Sequence, residues 1–242
     1  LYLHGIPTSS DDWIGVLERT GGIAPDLTGF GRSGKGGHLE YTLAARAGDL
    51  EQLLDHLEIP AVTLVGHEWG AVVGLTLALR APSRVERIVL VNPLPLDQRA
   101  GSPGSRRLWR MRAVGELAMG ATTKWLLRRE LRKASTSPDE TWPNARVDQL
   151  WDQFDQGTQR AILRLHRATD ETVLSHIRSR LTAISQTALI LWGDQDPWFP
   201  ASTAEAYASA LPGATVEHFK DAGHWPWLDD ADVLERLAKA VE

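Results

Sequence analysis

The sequence predicts an α/β fold: a mostly parallel sheet of about six strands, with helices on both faces and an inserted helical cap. Short apolar runs alternate with amphipathic helical patterns toward both ends of the chain, which is typical of parallel sheets. Between residues 93 and 182 the alternation stops and helical spacing predominates. We therefore expect residues 1–92 and 183–242 to form the α/β core and residues 93–182 to form the cap.

Each element of the core has its own signal. Short apolar, often β-branched runs predict strands, at Leu1–Leu3, Gly22–Ala24, Ala61–Val65, Arg87–Val91, Ala188–Trp192 and Thr215–Phe219. Apolar residues spaced three and four apart, or helix-capping residues, predict helices, at Trp13–Arg19, Leu43–Leu57, Ala71–Arg80, a segment opened by a Ser202–Glu205 capping box, and about Asp230–Val241.

Composition narrows the class of protein. The 242 residues carry a net charge of −5, which argues against a nucleic-acid partner or an anionic membrane surface. No apolar run approaches the roughly 18 residues of a membrane span, and no signal-peptide pattern opens the chain. The lack of cysteine excludes disulfides and thiolate metal sites.

We expect a cytoplasmic monomer or homodimer that acts on a small molecule without metal or cofactor. Because Leu1 already lies within a strand pattern, further residues are expected to precede it.

Gly66-His67-Glu68-Trp69-Gly70 matches the sharp strand-to-helix turn that presents a catalytic nucleophile. The central residue of such a turn has a strained backbone, and side chains two positions away would collide with the adjoining strand and helix. Gly66 and Gly70 meet that requirement. Glu68 stands where the nucleophile belongs. The alternative interpretation is a turn of small residues with an accidental charge.

Four signatures then occur in an order typical of one superfamily. They are a His-Gly-x-Pro loop at Leu3–Ser10, an Asp-x-x-Gly-x-Gly-x-Ser loop at Asp26–Ser33, the Glu68 turn at Gly66–Gly70, and a pair of loops that carry an acid and a histidine, at Trp192–Pro197 and Ala222–His224. Over nearly its whole length the chain resembles the α/β-hydrolase superfamily. Its Glu68-Trp69 pair is similar to the Asp-Trp of epoxide hydrolases and haloalkane dehalogenases, with glutamate at the nucleophile position.

The resemblance implies a role for each loop. His224 would be the general base, and Asp196 would orient its imidazole as the third member of a triad. Asp194 is the competing assignment for that acid, although spacing favours Asp196. The backbone amides of Ile6 and Trp69 would form the oxyanion hole.

The chemistry of Glu68 has several interpretations. A carboxylate can attack an electrophile directly and form an ester that histidine-activated water cleaves. Its extra methylene, roughly 1.5 Å longer than aspartate, suits only a pocket shaped for glutamate. Glu68 would otherwise act as a general base on water, or pair with His224 in a weak or silent enzyme. A replacement introduced at this position is a further alternative.

Aromatic residues bear on the substrate. Epoxide hydrolases of this type use cap tyrosines, whereas the tyrosines here, Tyr2, Tyr41 and Tyr207, lie outside the predicted cap. In haloalkane dehalogenases the tryptophan that follows the nucleophile donates to the departing halide, and Trp69 matches it. A second donor would come from the cap, although packing is the default interpretation for each candidate: Trp109, Trp125, Trp142 and Trp151.

The substrate pocket is expected to be apolar, lined by residues such as Phe30, Trp69, Leu94 and Trp225. A basic cluster in the cap would be a solvated helix face, or would attract an acidic substrate if it pointed inward: Arg106, Arg107, Arg110, Arg112, Lys124, Arg128, Arg129, Arg132 and Lys133. These observations predict a cofactor-independent hydrolase for a small apolar ester, halide or related electrophile, with Glu68, Asp196 and His224 as its triad. The alternative is a catalytically silent ligand-binding protein of the same fold.

Overall fold

The structure, a computed structural model, describes residues 1–97 and 108–242. Its strands form one five-stranded, all-parallel sheet in the order β1-β2-β3-β4-β5. They span Tyr2–Leu3 (β1), Val62–Glu68 (β2), Val85–Pro93 (β3), Thr187–Gly193 (β4) and Thr215–Phe219 (β5). The predicted α/β class with a parallel sheet is confirmed.

Of the six predicted strands, the one at Gly22–Ala24 does not form. Its link to the sheet is the hydrogen bond that the Tyr2 amide donates to the Ile23 carbonyl at 2.8 Å. Gly21 and Gly22 have φ angles of 65° and 100°, which are incompatible with an extended strand. The chain therefore passes beside β1 as a loop.

Helices cover the sheet and fill the region between β3 and β4. They span Ile14–Thr20 (α1), Leu43–His56 (α2), Trp69–Arg80 (α3), Val114–Gly120 (α4), Lys124–Lys133 (α5), Pro138–Thr141 (α6), Asn144–Gln153 (α7), Gln156–Ala168 (α8), Glu171–Arg180 (α9), Ser202–Ala210 (α10), Pro226–Asp229 (α11) and Ala231–Val241 (α12), with short 3₁₀ turns at Ser10–Trp13, Pro82–Arg84 and Leu181–Ala183. Helices α4 to α9 occupy the segment predicted to be the cap. Arg106 and Arg107 lie outside the described residues.

The capping box predicted at Ser202–Glu205 is wrong. Ser202 is the first helical residue of α10, its N-cap position is Ala201, and no side chain caps the helix. The Glu205 carboxylate instead accepts a hydrogen bond from His218 Nε2 at 3.1 Å. Within residues 1–97 and 108–242, no helix is long and apolar enough to cross a membrane.

The turn after β2 is tighter than predicted, because β2 continues through Glu68 and α3 begins at Trp69. Glu68 alone changes the chain direction, with φ 50° and ψ −114°. A non-glycine residue in such a conformation costs about 1–3 kcal/mol, a strain that functional sites retain. A Cβ on Gly66 would lie 2.5 Å from Ala71 Cα, and one on Gly74 would lie 2.6 Å from Leu64 Cδ2. The glycines therefore let α3 pack directly onto β1 and β2.

Gly70 provides a stability test of this close approach. A Cβ there would overlap the backbone carbonyl of Leu3, which belongs to β1 and cannot rotate away. Gly70→Ala should lower the free energy of unfolding by at least about 2 kcal/mol. The control is Gly48→Ala in α2, where an added Cβ would meet no atom within 4 Å; it should raise stability by about 0.5–1 kcal/mol. Urea unfolding measures both, and a Gly70→Ala protein as stable as wild type would contradict this packing.

Candidate active site

The predicted site residues gather at the carboxyl edge of the sheet. Glu68 is the last residue of β2, while Ile6, Asp196 and His224 lie in the loops that follow β1, β4 and β5. The strands are parallel and adjacent, so their carboxyl ends meet at one edge. The fold thus collects in one region side chains that are more than 200 positions apart in the chain.

Asp196 and His224 form a buried pair. His224 Nδ1 lies 2.7 Å from Asp196 Oδ2, and both side chains are fully buried. Asp194, the competing assignment, lies instead 2.7 Å from His218 Nδ1. Because an ionised carboxylate can only accept, Nδ1 of His224 carries the proton. A neutral ring with its proton on Nδ1 presents an unprotonated Nε2, which is the tautomer that a general base requires.

The Asp196 carboxylate is held by backbone and side-chain donors. Oδ1 accepts from the amides of Trp198 at 2.8 Å and Phe199 at 3.1 Å. Oδ2 accepts from Asn92 Nδ2 at 2.9 Å as well as from His224. Burial raises the pKa of Asp196, but the His224 charge and these hydrogen bonds outweigh it and lower the pKa overall. The acid therefore stays ionised beside the imidazole.

Asn92 is a residue of the candidate site that the sequence analysis missed. It has φ 38° near the end of β3, and its Oδ1 also accepts from the Gly193 amide at 2.9 Å. Its amide side chain thereby ties the end of β3 to the loop that carries Asp196. The available signal was a polar residue directly after the apolar run of β3, at the edge where functional residues collect.

The Glu68 carboxylate reaches the predicted oxyanion hole. The Ile6 amide donates to Glu68 Oε2 at 2.6 Å, and the glutamate is almost fully buried. A Cβ on Gly5 would lie 2.6 Å from Oε2 and 2.8 Å from Glu68 Cβ, so residue 5 must be glycine for this side chain to fit. Trp69, whose amide was predicted as the second donor, is the first residue of α3, where backbone amides lack a partner within the helix. The surroundings are thus shaped to the length of glutamate.

Glu68 and His224 do not share a direct hydrogen bond. His224 Nε2 is buried and has no hydrogen-bond partner among the described residues. His67 supports the loop, since its Nε2 lies 2.9 Å from the His224 carbonyl oxygen and must donate to it. Burial, together with the nearby His224 charge, lowers the pKa of His67, so its ring is neutral. The free lone pair of His224 Nε2 leaves a site for the proton of an incoming water.

A cavity of about 330 Å³ opens beside Glu68. Its walls are mostly apolar and come largely from the predicted cap: Ile6, Pro7, Glu68, Leu108, Trp109, Ala118, Met119, Thr122, Leu126, Leu127, Glu130, Leu131, Phe154, Ile162 and Trp198. His224 does not line this cavity. Its ring lies 4.5 Å from the ring of Trp198, which does line it. Among the described residues, no group of three or more His, Asp or Glu side chains is arranged to hold a metal ion.

The lining differs from the four apolar residues expected from the sequence. Phe30, Trp69, Leu94 and Trp225 are all buried and none lies on the described cavity wall. Each is held by core packing or by a backbone contact. The Phe30 ring packs edge-on against His4 at 5.7 Å, the Trp225 ring packs against His224 at 4.7 Å, and the Leu94 carbonyl accepts from Tyr207 at 2.7 Å.

The four cap tryptophans have different environments. Trp109 lines the cavity and packs against His166 at 5.0 Å, and His166 in turn packs against Trp69 at 5.1 Å. Trp142 is buried, whereas Trp125 is 67% exposed. Trp151 stacks on Phe154. Trp109 is therefore the candidate whose surroundings place it near both the cavity and Trp69.

The described members of the predicted basic cluster do not line the cavity. None of its described members lies on the cavity wall. Two of them bind backbone carbonyls elsewhere, Arg110 that of Thr169 and Arg132 that of Trp142. The described part of the cluster therefore gives no cationic group that would hold an acidic substrate in this cavity.

Asp12 lies beneath the histidine loop and gives the protein a pH-dependent stability. Its Oδ2 accepts from Trp225 Nε1 at 3.2 Å, and its carbonyl accepts from Trp227 Nε1 at 3.0 Å. Burial raises the pKa of Asp12 from 3.8 to about 6, against the smaller opposing effect of Arg146. Since the folded pKa exceeds the unfolded one, this contribution to stability is fully present below pH 3.8 and is lost as the pH rises through about 6.

Asp12→Asn should therefore gain stability relative to wild type as the pH rises. Between pH 4 and pH 7 the difference in unfolding free energy should shift in favour of the variant by up to about 3 kcal/mol. Urea unfolding at both pH values measures it. Asp152→Asn, at an exposed position of α7, is the control. A pH-independent difference for Asp12→Asn would show that Asp12 does not titrate within this range.

Comparison with known proteins agrees with this architecture. A family model described as the alpha/beta hydrolase fold matches residues 1–231. The uncharacterized protein Rv2715 of Mycobacterium tuberculosis is 32% identical over 100% of this chain and 75% of its own. The cis-3-alkyl-4-alkyloxetan-2-one decarboxylase of Xanthomonas campestris is 28% identical over 98% of this chain and 86% of its own.

Solved structures share the fold. A haloalkane dehalogenase variant, DbeA-M1 from Bradyrhizobium elkanii, superposes with a TM-score of 0.81 at 21% identity, covering 99% of this chain and 87% of that one. An epoxide hydrolase is also among the solved structures with this fold. The extent of the family match, together with the sheet and its edge loops, shows that the chain belongs to the α/β-hydrolase fold family and is a hydrolase of that family.

Proposed function

We propose that this protein hydrolyses small, apolar esters or halides through a covalent ester on Glu68. One observation carries the proposal: Glu68 Oε2 accepts the Ile6 amide at 2.6 Å while the same residue lines an apolar cavity. A carboxylate on such a wall can attack a bound electrophile directly. It needs no base to become a nucleophile.

In the first step the second Glu68 oxygen attacks an electrophilic alkyl carbon. The bond to the leaving group breaks with its electron pair, releasing a halide, or a carboxylate from an ester opened at its alkyl carbon. Glu68 is then esterified, and Oε2 is the carbonyl oxygen of that ester. The Ile6 amide already lies where negative charge will next develop on that oxygen, which is the arrangement that stabilises a tetrahedral intermediate.

In the second step His224 Nε2 removes a proton from water, and the hydroxide adds to Glu68 Cδ. Asp196, 2.7 Å from Nδ1, stabilises the resulting imidazolium. The tetrahedral intermediate collapses, and the alkoxide leaves with the proton from His224. The resulting Glu68 carboxylic acid then releases its proton to solvent, which restores the carboxylate. A water must fit between the ring and the ester, so this route requires no direct hydrogen bond between Glu68 and His224.

The walls of the cavity argue against an acidic substrate. The described lining contains no lysine, arginine or tyrosine. The hydroxyl of Tyr41 donates to the Gly36 carbonyl and that of Tyr207 to the Leu94 carbonyl, so neither is available to protonate an epoxide oxygen. The Xanthomonas relative is named for an alkyl-substituted oxetan-2-one, a strained cyclic ester, which belongs to the proposed substrate class.

An activity panel tests this function. It compares p-nitrophenyl esters, oxetan-2-ones, haloalkanes, haloacids and epoxides, each with wild type and with Glu68→Gln. We expect turnover of an oxetan-2-one or a haloalkane that Glu68→Gln abolishes. Haloacids and epoxides should turn over little, and so should p-nitrophenyl esters, whose aryl oxygen offers no alkyl carbon for attack. Silence of the wild type on every class, with apolar ligands still bound, would favour the alternative of a catalytically silent binding protein.

A further inference from the structure

We propose that Glu130 makes this cavity select ligands with a cationic, ammonium-bearing end and reject carboxylates. The proposal concerns which molecules bind, and it rests on the proposed function only where it extends to substrates. Glu130 lies in α5, in the segment predicted to be the cap, and lines the cavity.

The face of α5 that meets the cavity is apolar except at this position. Its lining residues are Leu126, Leu127, Glu130 and Leu131, which lie one turn apart on one side of the helix. Leu127 and Leu131 are buried. An apolar residue would continue this stripe, so the carboxylate is a departure from the packing pattern.

The charge of Glu130 is poorly compensated. Its ion-pair partner among the described residues is Arg129, whose Nε lies 3.9 Å from Oε1. The side chains of the pair are 58% and 41% exposed, and such surface pairs contribute little. The lining holds a second carboxylate, Glu68, and no described cation. Within the described lining the charged groups are these two carboxylates, and the apolar walls around them screen their charges less than water does.

A carboxylate at the rim of an apolar pocket suits one kind of ligand in particular. An alkyl chain would occupy the space between Leu126, Leu127 and Phe154, while an ammonium group would donate hydrogen bonds to Glu130. A ligand that ends in a carboxylate would meet two negative charges and, within the described lining, no cation. A neutral ligand of the same shape should bind with intermediate affinity.

Equilibrium binding of n-hexylammonium, 1-hexanol and hexanoate tests this inference without any hydrolysis. Trp109 and Trp198 line the cavity, so tryptophan fluorescence reports binding. Wild type should bind hexylammonium most tightly and hexanoate least tightly. Glu130→Gln should weaken hexylammonium and strengthen hexanoate by roughly tenfold each, with hexanol changed less than about twofold. Higher salt should reduce the differences.

Glu140→Gln is the matched control, because Glu140 is an exposed glutamate of α6 that does not line the cavity. It should change none of the three affinities by more than about twofold. An order of affinity unaltered by Glu130→Gln, or altered equally by Glu140→Gln, would overturn the proposal. Since the measurement needs no turnover, loss of the proposed hydrolysis and loss of this selectivity are separate outcomes.

Discussion

Replacing Glu68 with glutamine should lower kcat by at least about 10³-fold on whichever ester or halide the wild type hydrolyses. The amide still fits beside Gly5 and still accepts the Ile6 hydrogen bond through its oxygen, so folding and binding should persist. What is lost is the anionic oxygen that attacks the substrate. Steady-state kinetics measure kcat, and a KM within about threefold of wild type would place the loss in the chemical step.

Glu68→Asp tests the reach of the side chain. Removing one methylene withdraws the carboxylate by roughly 1.5 Å, away from an amide that the glutamate reaches at 2.6 Å. We expect about a hundredfold loss of kcat, the typical effect of a displacement of about 1 Å. A gain of activity in Glu68→Asp or Glu68→Ser would instead show that the wild type is a dormant hydrolase whose pocket favours another nucleophile.

Replacing His224 with glutamine should block the second step of the reaction, hydrolysis of the Glu68 ester. Attack by Glu68 needs no base, so the first turnover should proceed at a rate within about tenfold of wild type, whereas ester hydrolysis should slow by about 10²–10⁴-fold. The protein should then carry one alkyl group per molecule. Intact-protein mass spectrometry after mixing with excess substrate measures this adduct, and leaving-group release should show a stoichiometric burst.

Asp196→Asn is the companion variant. It removes the charge that fixes the His224 tautomer, so the same adduct should accumulate more slowly than in His224→Gln because some base function remains. If His224→Gln released no leaving group at all, His224 would act before the covalent step. The proposed two-step route would then be wrong, even though Asp196 and His224 form a pair in the structure.

Much of the site could be predicted because its signals are local. The elbow at Glu68 is determined by glycines at fixed distances, and the structure shows the contacts that each of them permits, such as Gly66 against Ala71. Spacing favours Asp196 over Asp194, although both follow Gly193. The contact that distinguishes them, 2.7 Å from Asp196 to His224, comes from another strand's loop and is visible only in the structure.

Other features depended on tertiary packing that no local pattern contains. Phe30 and Trp225 are apolar residues near functional motifs, but both are buried in the core. The cavity wall is formed mainly by α5 and its neighbours. The apolar run at Gly22–Ala24 had a strand pattern, yet its flanking glycine conformations left it outside the sheet. Asn92 acts through a side-chain contact to a loop 104 positions away.

The most direct test of the central claim is a single turnover in heavy-oxygen water, with enzyme in excess of substrate. Peptide mass spectrometry then locates the label. If Glu68 forms the ester and water attacks its Cδ, one heavy oxygen should appear in the Glu68 carboxylate, and the alcohol should carry ordinary oxygen from the protein. Label in the alcohol and none in Glu68 would contradict the covalent route and assign Glu68 to activation of water.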